Sequence, residues 1–190
     1  YGLDQIRYFV LREITFGNDG DFSISALKSR INADLSNDLG NLCQRSLTMI
    51  IKHCNSRIPR GNNISDTEKK FLSKLFNLLP ALSLHIDNQE INLYLKKIWD
   101  IVAETNKYFN DSKPWELKDT NKESFENILY VTAEIIKQIA IMIYPAMPQT
   151  SVKILSLFSI EEDSIKIDSL NINIENIELS NVKPLFPRVE

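Results

Sequence analysis

Three side chains, Asn41, Arg45 and Trp115, carry the groups that binding of single-stranded nucleic acid requires. An indole offers a flat face on which a base stacks, while amide and guanidinium groups hydrogen-bond to base edges. Arg45 follows Asn41 by four residues, so the two side chains lie one turn apart on the same face of a helix. Trp115 lies far along the chain, and its position depends on the elements that carry it.

Asn41 and Arg45 belong to a polar stripe on a long predicted helix. At about 100° per residue, Asp34, Asn37 and Asp38 share this stripe. An adjoining apolar stripe consists of Ile31, Leu35, Leu39, Leu42 and Met49. Two interpretations of Arg45 remain open at this point: an ion pair with Asp38 or Asp34 on a solvated surface, or a contact with a base.

Trp115 follows Pro114 at a predicted corner between two helices, outside the apolar stripe of either helix. It either packs under the corner as a cap on the core or exposes its ring for stacking. Trp99 flanks the apolar stripe of its own helix, which predicts a place in the core or at its rim.

Apolar residues at helical spacing predict the elements that position these side chains. The predicted helices are 3–13, 25–56, 66–79, 88–110 and 122–144, with a short one over 148–157. Asp21 or Ser23 is the predicted cap of the second helix, and Pro80 either kinks or ends the third. From 159 onward, alternating Ile and polar residues predict a strand-like or extended acidic arm. The sequence therefore predicts an all-α bundle of about five helices with an extended C-terminal tail.

Composition excludes several classes of function. With 190 residues, 43% of them apolar and 25% charged, the chain resembles an ordinary soluble domain. Its net charge of -3 gives no general attraction for polyanions, so nucleic acid would bind through a local patch. Cys43 and Cys54 lie too far apart on one helix for a disulfide and are expected to be free thiols. We expect no metal, no membrane, no DNA and a cytoplasmic location.

Motifs of the common catalytic sites are missing. The sequence contains no GxGxxG, Walker, HExxH, GxSxG or CxxC pattern, and its carboxylate pairs lie in polar surroundings. The sequence therefore predicts no catalytic residue in this chain and favours a binding function.

Several segments, taken in order, resemble the carboxy-terminal half of methionyl-tRNA synthetases of the bacterial or organellar type. They are YGLDQIRYFVLRE at 1–13, GNDGDFS at 17–23, INADL at 31–35, NDLGNL at 37–42, KPW at 113–115 and LFPR at 185–188. The resemblance implies a stem-contact region over 1–22, an α-helical anticodon-binding domain over 23–158 and a tail over 159–190. It also implies that the sequence is a piece of a longer protein, whose catalytic half, with its ATP site and a zinc-binding insertion, lies outside it. No cofactor is expected in the piece itself.

The resemblance further implies roles for individual residues. Trp115 would stack on the exposed cytosine of the CAU anticodon of methionine tRNA, while Asn41 and Arg45 would hydrogen-bond the anticodon bases. Four basic residues are candidates for contacts with the RNA backbone: Lys52, Arg57, Arg60 and Lys113.

Two rival interpretations stand beside this one. The first is the anticodon-binding domain of another class I synthetase, for leucine, isoleucine, valine or cysteine, because these share a helical bundle. The Asn41 to Arg45 pair together with Pro114 and Trp115 argues against it. The second is a helical protein-interaction module with no role in RNA binding, for which an ordinary surface and an acidic tail suffice.

Overall fold

The computed structural model describes residues 1–20 and 22–190, most of which are helical. The α-helices are α1 (Leu3–Glu13), α2 (Ile24–Arg30), α3 (Asn41–His53), α4 (Asp66–Leu72), α5 (Lys74–Asp87), α6 (Ile91–Ser112), α7 (Pro114–Leu117), α8 (Lys122–Ile143) and α9 (Pro148–Leu157). The all-α bundle predicted from the sequence is confirmed. Within the described ranges, no helix is both long and apolar enough to span a bilayer.

One continuous helical path runs from α2 to α3, as predicted, but its middle is not α-helical. Residues Ile31–Gly40 form a π-helical stretch, in which backbone hydrogen bonds reach five residues back instead of four. The last of these bonds runs from the backbone N–H of Asn41 to the carbonyl of Ser36. A Cβ atom on Gly40 would lie 2.8 Å from the carbonyl oxygen of Leu35, so the stretch needs glycine at this position. We call α2, the π stretch and α3 together the long helix.

The start of the long helix follows ordinary capping chemistry. The Oγ atom of Ser23 accepts a hydrogen bond from the backbone N–H of Ala26, which confirms Ser23 as a cap. The alternative cap, Asp21, lies outside the described residues. Phe22 packs edge-on against Phe9 of α1, with ring centroids 5.6 Å apart.

The predicted helix 66–79 differs from the structure in two respects. It is divided at Ser73 into α4 and α5, and Pro80 lies inside α5, which continues to Asp87. A proline costs the helix one backbone hydrogen bond, and here the flanking turns continue despite that loss. Because α5 extends further than expected, α6 begins at Ile91 instead of residue 88.

Helix α8 forms the centre of the bundle and packs against α3, α6, α7 and α9. Its Lys137 is completely buried, and the ammonium group donates hydrogen bonds to the backbone carbonyls of Leu170 and Ile172 at 3.0 and 2.6 Å. The same ammonium pairs with the carboxylate of Glu134. Burial raises the pKa of Glu134, and the adjacent charge of Lys137 opposes that shift. This buried charge pair therefore ties the C-terminal tail to the central helix.

The tail is packed more closely than the sequence predicted. The described tail contains two short 3₁₀ turns, Glu162–Ser164 and Ile167–Asn171, and a single β-bridge between Glu178 and Arg57, without a strand. Six of its apolar residues are buried in the common core: Ile160, Leu170, Ile174, Leu179, Val182 and Phe186. The acidic arm predicted from the sequence thus lies over the bundle: carboxylates such as Glu161 and Asp168 are exposed, while the buried apolar residues anchor the tail to the core.

Candidate nucleic-acid interface

The corner between α6 and α7 fixes the position of Trp115. Lys113 adopts a left-handed conformation with φ of 44°, and the buried Pro114 then opens α7. This turn places Trp115 beside the last residues of α6, where its ring meets Phe109 at a centroid distance of 6.3 Å and an interplanar angle of 61°. Trp115 remains 41% exposed, so Phe109 supports the indole while much of it faces solvent. The alternative of a buried cap under the corner is wrong.

Arg45 approaches this corner from the long helix. The central carbon of its guanidinium lies 5.7 Å from the centroid of the Trp115 ring and 5.3 Å from that of Phe109. Both distances lie within the range of cation–π attraction. Its Nη1 atom donates a hydrogen bond to the side-chain oxygen of Asn110 at 3.0 Å. The side-chain partner of Arg45 in the described part of the chain is thus a neutral amide, and neither Asp34 nor Asp38 forms an ion pair with it.

Asn41 lies one helical turn before Arg45 and is exposed. Because it is the first residue of α3 and closes the last π turn, the π stretch determines where its side chain points. The structure therefore brings Arg45 and Trp115 together and places Asn41 one turn from Arg45.

The predicted polar stripe does not continue through the π stretch. Asp34 is only 8% exposed, and its carboxylate accepts hydrogen bonds from the Tyr8 hydroxyl at 2.7 Å and from Arg30 at 3.2 Å. Asp38 is partly buried, and burial, followed by the negative charge of Asp34, raises its pKa. A spacing of 100° per residue does not apply where hydrogen bonds reach five residues back. The grouping of Asp34 with Asn41 on one exposed face was therefore wrong.

The four candidate backbone contacts differ in their surroundings. Lys52 and Arg60 are exposed. Arg57 pairs with Glu178 at 2.6 Å and also donates to the backbone carbonyl of Asn176. Lys113 lies 3.3 Å from a carboxylate oxygen of Glu116. Two of the four cations therefore form ion pairs with surface carboxylates.

Two groups beside the predicted readers were not predicted from the sequence. Asn110 holds Arg45, and the tail residues Phe186 and Arg188 lie next to Asn41 across a shallow cleft. Segment 185–188 carries part of the family resemblance, so the sequence did give one reason to expect the tail near the site. For Asn110 the sequence offered less, namely a polar side chain near the end of a predicted helix, directly after the apolar Phe109.

Comparison with protein-family models gives two matches to this chain. Residues 58–180 match the anticodon binding domain of methionyl tRNA ligase. Residues 1–47 match a model of class I tRNA synthetases of the methionine type. The two matches together cover most of the chain up to residue 180.

Individual relatives agree with these models. Methionine–tRNA ligase of Brucella suis is 42% identical over 163 residues, which are 86% of this chain and 32% of that protein. The Mycobacterium tuberculosis ligase is 42% identical over 160 residues, covering 82% of this chain and 31% of its own length. The chain thus spans about a third of the length of these curated relatives.

Solved structures give the same result for the fold. The apo form of Mycobacterium tuberculosis methionyl-tRNA synthetase superposes with a TM-score of 0.94 at 36% identity, covering all of this chain and 39% of that protein. The same enzyme in complex with methionyl-adenylate gives a TM-score of 0.93. The expectation drawn from the sequence resemblance is confirmed: the chain belongs to the family of methionyl-tRNA ligase anticodon-binding domains.

Proposed function

We propose that this chain reads the CAU anticodon of methionine tRNA, as the anticodon-binding part of a methionine–tRNA ligase. One observation carries the proposal: in a chain of this family, an exposed Trp115 lies beside the guanidinium of Arg45. The two groups provide a stacking face and a set of hydrogen-bond donors at a single place on the surface.

The first base of the anticodon stacks on Trp115. Phe109 supports the indole from one side and Arg45 lies over its ring, so the indole is positioned before RNA arrives. Stacking of one base on an aromatic side chain contributes about 1 to 3 kcal/mol to binding. Because the ring is already fixed, little of that energy is lost in ordering it.

Arg45 and Asn41 discriminate the stacked base. The Watson–Crick edge of cytosine presents hydrogen-bond acceptors next to an amino donor. A guanidinium supplies donors only, whereas an amide supplies both a donor and an acceptor. Asn110 orients Arg45 through a neutral oxygen and therefore leaves its positive charge available to the RNA.

Four basic side chains are the candidates for contacts with the RNA backbone. Lys52 and Arg60 are exposed and can meet phosphates without first leaving a protein partner. The pairs of Arg57 and Lys113 with carboxylates are also at the surface, where such pairs contribute little and exchange readily. Since the chain as a whole is acidic, these local cations guide the RNA while stacking and base contacts select it.

The remaining polypeptide of a full-length ligase would supply catalysis and ATP binding. The N-terminal residues of this chain, which we assign to the stem-contact region, expose several large apolar side chains: Tyr1, Leu3, Phe16 and Phe22. A surface of this kind fits a second domain of the same polypeptide. Residues 1–47 match the class I synthetase model, which supports this assignment.

A binding titration tests the proposed function. The chain is titrated with an anticodon stem-loop carrying CAU, and binding is followed by the change in tryptophan fluorescence and by filter retention. We expect Trp115→Ala to weaken binding by about 1 to 3 kcal/mol, the value of one stacked base. Leu84→Ala is the matched control, because it removes another exposed large apolar side chain, on α5, outside every segment proposed to contact the RNA.

Two results would contradict the proposal. One is equal affinity of the wild-type chain for stem-loops with and without CAU, and the other is unchanged binding by Trp115→Ala. The absence of binding, both here and in the full-length ligase, would favour the protein-interaction module over RNA recognition.

A further inference from the structure

A recess of about 330 Å³ lies where the C-terminal tail crosses the end of α9. Its polar side chains are those of Lys153 and Ser156 on α9 and of Asn181 and Lys183 on the tail. Among the described residues, none that lines this recess carries a carboxylate. We call it the lysine recess.

The charge of the tail changes sign just before the lysine recess. Residues 159–180 contain six carboxylates and a single lysine, Lys166. Residues 181–188 contain Lys183 and Arg188 and no carboxylate. In a chain whose net charge is -3, this segment supplies a local positive patch of the kind that a polyanion requires.

The two lysines of the recess keep their charges free of protein partners. Lys74, for comparison, pairs with a carboxylate of α6. In the described part of the chain, Lys153 and Lys183 form no ion pair, and both are exposed. Glu162 shares a different recess with Lys153, and its carboxylate accepts a hydrogen bond from the Tyr144 hydroxyl at 3.3 Å. Two positive charges are therefore available to an anion in the lysine recess.

The backbone on both sides of the recess is anchored in the core. Val182, directly before Lys183, is buried, and its carbonyl accepts a hydrogen bond from Gln44 at 3.3 Å. On α9, Lys153 is followed directly by the completely buried Ile154. A ligand therefore has to order only the lysine side chains, which limits the entropy lost on binding.

The lysine recess adjoins the surface that we propose to bind RNA. Pro184 and Leu185 line it on one side and line the shallow cleft beside Asn41 on the other. An extended chain covers about 10 Å over the three residues from Lys183 to Phe186. That length is the rise of about three stacked nucleotides. The backbone of an RNA loop bound at Asn41 therefore passes within reach of the recess.

We propose that the lysine recess binds a phosphate of the RNA backbone, on the side of the tail that faces away from Asn41. This inference rests on the proposed function and adds α9 to the interface. An ammonium group binds phosphate as a point charge and carries no information about the base. The recess therefore contributes affinity to RNA binding without contributing to the choice of anticodon.

The double variant Lys153→Gln/Lys183→Gln tests this inference with the CAU stem-loop and with a stem-loop changed at one anticodon base. We expect it to weaken binding of both several-fold at low salt and to leave the ratio of the two affinities unchanged. The logarithm of the association constant should fall less steeply with the logarithm of the salt concentration, by about 0.7 to 0.9, the value for one phosphate.

Lys96→Gln/Lys97→Gln is the matched control, because it removes two positive charges from exposed positions of α6. Lys97 lies about 20 Å along that helix from Asn110 and the proposed site. The control should bind both stem-loops with the affinity and the salt dependence of the wild type. An equal loss in the control would assign the effect to net charge and overturn the inference.

Uncharged linkages in the RNA locate the phosphate. Each member of a series of CAU stem-loops carries one methylphosphonate linkage, at successive positions of the backbone. At one position this linkage should weaken binding by the wild type several-fold and have no effect on the double variant. If no position distinguishes the two proteins, the recess binds at most a free anion and the assignment to RNA is wrong.

The inference and the proposed function can fail separately. If the double variant matches the wild type in affinity and salt dependence while Trp115→Ala weakens binding, the lysine recess has no such role and the proposed function stands. If Trp115→Ala is also without effect, the proposed function itself fails.

Discussion

Two tryptophan clusters flank the long helix and are built from similar parts. In each, an indole lies next to a second aromatic ring and a charged side chain of the long helix. The Trp99 cluster consists of Trp99, Tyr8, Asp34 and Arg30, and the Trp115 cluster consists of Trp115, Phe109, Asn110 and Arg45.

The two clusters differ in whether their polar groups are satisfied within the protein. Trp99 is 7% exposed and packs against Tyr8, with ring centroids 4.3 Å apart and the rings tilted by 38°. Its indole N–H donates to the backbone carbonyl of Asp34. Trp115 is 41% exposed, and the cation over its ring has only a neutral partner. The enclosed cluster joins α1, the long helix and α6, whereas the open one keeps a ring face and a charge available for a ligand. Similar side chains thus serve stability in one place and, we propose, recognition in the other.

The largest expected effect is on stability and comes from the enclosed cluster. Trp99→Ala should lower the free energy of unfolding by about 3 to 5 kcal/mol, because it leaves a cavity and removes a hydrogen bond. Trp115→Ala should cost less, since Trp115 is already 41% exposed to water. Urea denaturation of both variants measures the difference, and equal losses would contradict the comparison.

The Tyr8 hydroxyl provides the next effect within the same cluster. Burial, and then the negative charge of Asp34, raise the pKa of Tyr8, so its hydroxyl stays protonated and donates to that carboxylate. Tyr8→Phe should lower the free energy of unfolding, measured by urea denaturation, by about 1.5 to 3 kcal/mol, the range for a hydrogen bond to a charged group. Tyr144→Phe is the control, because its hydroxyl meets Glu162 at the surface at 3.3 Å. A loss of similar size in the control would show that the burial of Tyr8 is not the cause.

Much of this fold follows from local sequence patterns. The apolar spacing of α8, the cap at Ser23 and Pro114 at the start of α7 each indicate an element that the structure contains. The π stretch could not be predicted, because an α-helix and a π-helix over these residues bury the same apolar side chains and differ only in their backbone hydrogen bonds. Gly40 was the only local hint, since its need for glycine becomes clear only from the position of the Leu35 carbonyl.

Within the open cluster, the attraction between Arg45 and Trp115 should be measurable on its own. A double-mutant cycle of Arg45→Met and Trp115→Ala should give a coupling of about 0.5 to 1 kcal/mol in the free energy of unfolding, as for exposed cation–π pairs. Methionine keeps much of the length of arginine without its charge. Lys52→Met, also on the long helix, replaces Arg45→Met in a control cycle. A coupling for Lys52 as large as for Arg45 would contradict the assigned contact.

Only part of the candidate site could be predicted. The spacing of Asn41 and Arg45 on one helix is local information, and the structure keeps them one turn apart. The approach of Trp115 to Arg45 depends on the packing of α6 against the long helix and on the left-handed turn at Lys113, which no periodicity indicates. The position of the tail beside Asn41 depends on contacts between residues far apart in the sequence, such as Asn32 and Val189, so only the folded structure shows it.

Asp38 lies on the π stretch between the two clusters and should give the smallest effect. Burial, and then the negative charge of Asp34, raise the pKa of the Asp38 carboxyl. The folded state therefore holds its proton more tightly than the unfolded chain does. The stabilisation is complete below the unfolded pKa, near 3.9, and is lost as the pH rises through the higher folded pKa. Asp38→Asn should accordingly melt at a slightly higher temperature than the wild type at pH 7. Thermal melts across a pH series should show the two melting temperatures converging as the pH falls toward about 4. A difference in melting temperature that stays constant with pH, or a less stable variant at pH 7, would show that ionisation of Asp38 does not destabilise the folded state.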